Sequence, residues 1–121
     1  MSKKFIKKKF KYPSKKIINL ILDIEDYKNF LPWCKSSIIH SIKEDSKKKI
    51  IFADLEIGYK IFSDTYSSKV ILDKKKSKIK VISIDGPLSR LKNNWRIKDL
   101  SKNDCEVEFY IDIELKNSML N

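Results

Sequence analysis

From residue 105 to the end of the last apolar run, side chains alternate in character. Cys105, Val107, Phe109, Ile111, Ile113 and Leu115 fall on one side, and Glu106, Glu108, Asp112 and Glu114 on the other. A period of two is the signature of a strand with one dry and one wet face. Further β-like segments, rich in branched and aromatic residues, run from Ile38 to Ile42, Ile50 to Gly58, Ile61 to Leu72, Ile79 to Ile84 and Leu91 to Leu100. Turn clusters separate them at Glu44-Asp45-Ser46, Asp73 to Ser77, Asp85-Gly86-Pro87 and Ser101 to Asp104. Connections this short predict an antiparallel meander, and a long meander with one apolar face twists and curls around whatever covers that face.

The period is different near the start. Ile17, Ile18, Ile21, Leu22 and Ile24 recur at helical spacing behind Ser14, whose hydroxyl is a candidate N-cap, so an amphipathic helix is predicted over residues 14–24. A second helical turn is predicted from Asp26 to Phe30. It ends at Leu31-Pro32, because a residue before proline is pushed out of the α region. Before the helix, residues 3–12 set Phe5, Phe10 and Tyr12 among lysines and read as a short basic strand stopped by Pro13. The class is therefore α+β. One short helix cannot cover a sheet of about six strands, so either a further element covers the apolar face or that face forms a ligand pocket.

A chain of 121 residues has room for one domain and one core. Its formal charge of +11 draws it toward polyanions, either nucleic acid or anionic lipid. Arg90 and Arg96 are the only arginines, so the planar forks that grip bases and phosphates are nearly absent. Compositional drift toward lysine, with weak membrane attraction, accounts for the charge better than dedicated nucleic-acid binding does. Lys7 to Lys9, Lys47 to Lys49 and Lys74 to Lys76 read as solvated runs that can add attraction to an anionic bilayer. Cys34 and Cys105 stand far apart with no ligand at metal spacing, which fits a reduced, cytoplasmic setting. No apolar stretch reaches the length of a secretion signal or a membrane span. Any membrane contact is then peripheral.

Four fragments, in this order and spacing, resemble the coenzyme Q-binding family of START-like proteins, within the polyketide cyclase/dehydrase-like superfamily. They are Tyr27 to Cys34 (YKNFLPWC), Ala53 to Tyr59 (ADLEIGY), Asp85-Gly86-Pro87-Leu88 and Asn94-Trp95-Arg96; the strand through Val107-Glu108-Phe109 and Asp112 to Leu115 matches as well. The resemblance covers nearly the whole chain. It implies a helix-grip fold with N-terminal helices, in which a curved antiparallel sheet grips a long helix around a hydrophobic tunnel. It implies a single lipid-binding domain over 1–121, with ubiquinone or a similar polyprenyl quinone as ligand, no catalysis and no metal. The role it implies is support of cellular respiration as a quinone carrier. The bacterial RatA group shares the pattern and acts on ribosome association, so a ribosome partner is the alternative; a polyketide cyclase-type enzyme shares only the fold. In the family a long helix follows the last strand. This chain stops at Met119-Leu120-Asn121, about where that helix should begin, so a C-terminally truncated domain with an exposed apolar face, or self-association to cover it, is expected.

Within that frame Leu31, Pro32 and Trp33 are candidates for the pocket mouth, the indole suiting a boundary between oil and water, and equally for a loop anchored by a buried Trp. Trp95 shares a strand face with Leu91 and Ile97 and fits either pocket wall or core. Leu55, Phe62, Tyr66, Leu88 and Phe109 are the remaining wall candidates. Tyr66, Asn94 and Arg96 are the polar candidates for a quinone head. At roughly 0.8 kcal/mol per buried CH₂, two or three isoprene units contribute about 8 kcal/mol before ordering costs, so apolar contact alone reaches micromolar binding. His40 has no partner signalled for acid/base work and reads as a surface residue, while Asp54, Glu56, Asp85, Asp112 and Glu114 read as solvated carboxylates. No aromatic signature of the kind found on RNA-recognition sheets stands in the sequence.

Overall fold

The computed structural model of the chain describes the backbone of residues 2–59, 62–86 and 88–115, and the side chains of 3–58, 63–86 and 91–114. The expected start of a final helix, at 116–121, lies outside the described residues. Seven antiparallel strands form one sheet: β1 (Ser2–Phe10), β2 (Cys34–Glu44), β3 (Lys48–Tyr59), β4 (Phe62–Asp73), β5 (Lys78–Asp85), β6 (Leu88–Ser101) and β7 (Asp104–Leu115). The order across the sheet is β1-β7-β6-β5-β4-β3-β2, so the six strands from β2 to β7 are the predicted meander. The basic segment at the start is a strand too, paired with β7 from Ser2↔Ile113 to Phe10↔Cys105. The chain leaves β1 at one edge and enters β2 at the opposite edge, so residues 11–33 must cross the sheet.

They cross its apolar face. Helix α1 (Ser14–Leu22), a 3₁₀ turn (Ile24–Asp26) and α2 (Tyr27–Phe30) occupy the crossing. Ile17, Ile18, Ile21 and Leu22 pack from α1 onto a buried cluster of Ile51, Ala53, Val70, Leu72, Ile79, Ile97, Cys105 and Val107. Cys105 and Val107 carry the parity of β7 that the sequence marks as dry. Ile24 falls just past the helix, in the 3₁₀ turn, and is only 2% exposed. Leu31 leaves α2 in an extended conformation, as the following proline requires.

One local expectation is overturned. Ser14 is not the N-cap: Pro13 occupies that position, extended and without a side-chain cap, and Ser14 is the first helical residue. The cap comes from the sheet. The Asp99 carboxylate, on β6, accepts hydrogen bonds from the Ser14 backbone N–H at 2.8 Å and from its hydroxyl at 2.7 Å. An anion at a helix N-terminus meets the positive end of the peptide dipoles, and here it also bolts the helix to the strand beneath it.

These bonds hold the Asp99 carboxyl below its ordinary value of 3.8, the backbone bond from Ser14 being the largest cause. A carboxylate whose pKa is depressed by folding adds stability above its unfolded pKa, and that stability is lost as pH falls through the folded value. Asp99→Ala is expected to lower stability by about 1 kcal/mol at pH 7. In urea melts of the two proteins, the difference should shrink as the buffer is taken below about pH 4, where the unfolded carboxyl begins to hold its proton.

Candidate ligand pocket

The helical crossing is too short to cover the whole inner face. Between the sheet and the helical crossing lies a cavity of about 390 Å³. Its walls on the sheet side include Leu55, Tyr66, Val81, Leu91, Asn93, Trp95, Phe109 and Ile111, all inward-facing by strand parity. Leu20, Ile21, Tyr27, Phe30, Leu31 and Trp33 close it from the helical side. The wall is mostly hydrocarbon, which is the form a site for an apolar molecule takes. Leu20, Phe30 and Trp33 are 55%, 53% and 43% exposed, so apolar surface continues outward from the chamber.

Of the expected site residues, Leu31, Trp33, Leu55, Tyr66, Trp95 and Phe109 line this cavity together. Pro32 does not; it is exposed and sits outside the lining, between two residues that belong to it. The side chains of Phe62 and Leu88 lie outside the described residues. Among the polar candidates only Tyr66 is in the wall. Asn94 and Arg96 are exposed and border a different groove, on the sheet's outer face, because they stand one residue out of phase with Trp95. The amide that reaches the pocket is Asn93, in phase with Trp95 and legible from that parity.

Asn93 is tied into the wall. Its side-chain oxygen accepts a 2.7 Å bond from the Trp95 indole N–H, and its Nδ2 donates to the Tyr110 carbonyl at 3.1 Å. Trp95 in turn meets the Phe109 ring edge-on, with centroids 4.6 Å apart. The indole is therefore held by a hydrogen bond at one end and by an aromatic partner beside it. Tyr27 donates its hydroxyl hydrogen to the Ile21 carbonyl. Tyr66 makes no hydrogen bond with any described residue, and burial pushes its pKa up to about 12. At neutral pH it is a protonated phenol in an apolar wall, a donor with no acceptor among the described residues.

Two backbone devices place these groups. The Gly58 N–H donates to the Trp33 carbonyl at 2.9 Å, and Cys34 N–H to the Leu31 carbonyl at 3.0 Å, which pins the mouth loop onto β3. Gly86 has φ of 129°, and a Cβ there would stand 2.5 Å from the Tyr66 Cβ and 2.8 Å from its Cα. Only glycine lets the turn after β5 press against Tyr66 in this way.

His40 stands on the outer side of the sheet, where a register shift between Ile39 and Ser41 makes it an extra residue in β2. Its Nε2 is 2.8 Å from Asp54 Oδ2, and Ser67 donates to Asp54 Oδ1 at 2.6 Å. The carboxylate lies between histidine and serine, so the imidazole has no hold on the hydroxyl and the trio is not a nucleophile relay. The hydroxyl of Ser67, first, and then the imidazole keep the Asp54 carboxyl below its ordinary value. Asp112, expected to be solvated, is buried at 6% exposure and has a partner. No group of three or more His, Cys, Asp or Glu side chains able to hold a metal ion occurs among the described residues.

A curved antiparallel sheet wrapped over a helical crossing, with an apolar chamber between them, is the helix-grip arrangement of START-like proteins. Solved structures agree. An 18 kDa protein of Caulobacter crescentus superposes with a TM-score of 0.74 at 25% identity over 99% of this chain and 80% of that one. A START superfamily protein of Mycobacterium smegmatis has a TM-score of 0.77 at 15% identity, over 98% of this chain and 83% of that one.

Residues 11–121 match the family described as polyketide cyclase / dehydrase and lipid transport, and the chain belongs to it. Similar curated proteins include the mitochondrial coenzyme Q-binding protein COQ10 of Dictyostelium discoideum, 37% identical over 75% of this chain and 43% of its own length. The ribosome association toxin RatA of Rickettsia prowazekii is 32% identical over 91% of this chain and 74% of its own. The chain thus spans less than half of the first relative and about three quarters of the second.

Gly86→Ala forces a Cβ into β4 and an L-residue into a glycine conformation. A loss of about 1 to 3 kcal/mol in denaturant stability is expected. The change should also appear in near-ultraviolet circular dichroism as altered tyrosine packing.

Proposed function

We propose that this chain binds ubiquinone, or a closely similar polyprenyl lipid, in the inner-face pocket and carries it without acting on it chemically. The observation that carries the reading is a phenol, Tyr66, with no hydrogen-bond partner among the described residues, in the wall of an otherwise apolar chamber. Its hydroxyl is a donor that a guest with a carbonyl oxygen satisfies. The remaining Asn93 amide hydrogen is a second donor in the same wall, and Ser68 a third polar group. A quinone head offers carbonyl and ether acceptors on a flat ring, and an isoprenoid tail matches the hydrocarbon lining. Similarity to coenzyme Q-binding proteins supports the same choice of guest.

The lining supports carriage without turnover. No carboxylate or imidazole faces the cavity among the described residues, and its two phenols, Tyr27 and Tyr66, are both pushed up to about 12. Neither is a base at neutral pH. The exposed apolar residues at the mouth, with Lys16 and Lys28 on the helices beside them, suit peripheral contact with an anionic inner membrane from which a lipid is loaded. No helix among the described residues is long and apolar enough to cross a membrane. On this reading the protein supports respiratory electron transport by moving quinone rather than reducing it.

A second reading, association with the ribosome, is favoured by one observation, the similarity to RatA proteins over most of the chain.

Both tryptophans of the chain, Trp33 and Trp95, line the pocket, so their fluorescence reports on it directly. Titration with a short-chain ubiquinone is expected to quench it with micromolar affinity. Tyr66→Phe should weaken binding about fivefold, the value of one hydrogen bond. Val81→Trp should fill the chamber and abolish binding while leaving the urea midpoint within the range of a tolerated core change. A wild-type protein that neither quenches nor retains quinone through gel filtration defeats the proposal.

A further inference from the structure

The outer face of the sheet carries a second groove, of about 390 Å³, lined by Phe5, Lys78, Asn94, Arg96, Glu108 and Tyr110 together with Ile79 and Trp95 of the strands beneath. Its floor is built by register. Phe5 on β1 pairs with Tyr110 on β7, Tyr110 with Asn94 on β6, and Asn94 with Lys80 on β5. The adjacent row runs Lys7, Glu108, Arg96, Lys78 over the same four strands. Phe5 and Tyr110 are thus cross-strand neighbours on an open sheet, bordered by Lys7, Arg96, Lys78 and Lys80 and by the carboxylates of Glu108 and of Glu106, which lies 3.5 Å from Lys7 Nζ.

Phe5 is 59% exposed, the largest exposure of any large apolar side chain among the described residues. A phenylalanine held out in water on the outer face serves neither the core nor the pocket. Flat rings on an antiparallel sheet, edged by cations, are the arrangement on which unpaired bases stack while the backbone phosphates are neutralised. Arg96 is one of only two arginines in the chain, and it lines this groove between Glu108 on β7 and Lys78 on β5. Its planar guanidinium can stack on a base as well as meet a phosphate. Asn94 and Tyr110 supply polar groups able to meet a ribose 2′-hydroxyl.

We propose that this outer groove binds single-stranded RNA, with bases stacked on Phe5 and Tyr110 and phosphates held by Arg96 and Lys78. The site is distinct from the lipid pocket: the two lie on opposite faces of the sheet. The inference does not depend on what fills the pocket, and it gives the ribosome reading a surface on which to act. The pair of rings is invisible to a scan for RNA-binding motifs, because its members are separated by almost the entire chain and meet only through the β1–β7 register.

The test uses the full chain and fluorescein-labelled single-stranded RNA of about twelve nucleotides, followed by anisotropy across a salt series. Binding is expected to weaken with salt, as phosphate contacts require. Phe5→Ala should weaken it about tenfold, the scale of one lost stacking platform, while Phe5→Trp should preserve it. Arg96→Ala should weaken binding and lower the salt slope by about one. Lys16→Ala and Lys28→Ala remove the same single charge from the helical side and should leave affinity near wild type. Equal weakening by those two variants would reduce the effect to net charge and overturn the proposal. So would equal affinity for duplex RNA or for single-stranded DNA of the same sequence, or no binding by the wild type. Sedimentation with ribosomes that survives Phe5→Ala and Arg96→Ala would move any ribosome contact to another surface. Quinone titration of Phe5→Ala, expected to match wild type, separates this result from the fate of the pocket reading.

Discussion

A nine-residue helix is about 14 Å long at 1.5 Å per residue, while seven strands spaced about 4.8 Å apart make a sheet roughly twice as wide. That mismatch governs the inner side of the molecule. The connection from β1 to β2 must cross from one edge of the sheet to the other, and the Asp99 bond fixes where the crossing begins. Helix α1 therefore starts over β6 and β7 and packs a solid core at one end of the strands, with Ile51, Val70, Ile79, Ile97 and Cys105, while the cavity opens over the other end, beside Leu55, Tyr66, Val81, Trp95 and Phe109. What remains is bridged by a 3₁₀ turn, one turn of helix and a proline-ended loop, which span the distance without filling the volume under them. The cavity is the part of the apolar face that the crossing does not cover.

The alternation of the strands then divides the labour between two surfaces. Because neighbouring residues point oppositely, Trp95 and Asn93 serve the pocket while Asn94 and Arg96, adjoining them, serve the outer groove. On β7 Phe109 faces the chamber and Tyr110 the solvent. A shift of one residue in the register of β6 would exchange the two sets, exposing an indole and burying a guanidinium. Such an exchange would place an uncompensated charge in an apolar chamber, a penalty of several kcal/mol. The register is thus protected by the contrast between the faces, and the two sites are stabilised by the same alternation.

Much of this is legible in the residues. The meander, the basic first strand, the helix and the dry parity of β7 follow from period and punctuation. So does the shortage of cover. Four of the wall positions, Leu55, Tyr66, Trp95 and Phe109, are legible as well, since a residue in phase with the core of its strand is carried to the inner face; Leu31 and Trp33 are legible from the family motif alone. The misses have definite causes. Ser14 looks like a cap because a hydroxyl before an apolar run usually is one; the true cap comes from Asp99, 85 positions away, and no local pattern encodes it. Pro32 groups with its neighbours by motif, but a loop has no parity to decide which side chains turn inward. Asn94 and Arg96 suit a quinone head by chemistry alone, against the parity that places Asn93 there. The contribution of α1 to the pocket wall through Leu20 and Ile21 depends on the angle at which the helix crosses, which periodicity does not specify.

Whether such a chamber carries a ligand or transforms it depends on the acid–base character of its wall. Burial raises the pKa of a phenol, as it does for Tyr27 and Tyr66, and so keeps it a hydrogen-bond donor while removing it as a base. The imidazole that could have served as a base is on the outer face, bonded to Asp54. The amide of Asn93 is a neutral group whose oxygen accepts from Trp95 and one of whose hydrogens goes to the Tyr110 carbonyl. A wall made this way can orient a carbonyl and shelter a hydrocarbon, but its described residues include no group that exchanges protons near neutrality. Within a family described by both cyclase chemistry and lipid transport, the side chains that face this cavity set a few hydrogen-bond donors in a hydrocarbon wall, which is what the proposed carriage of a lipid asks of them.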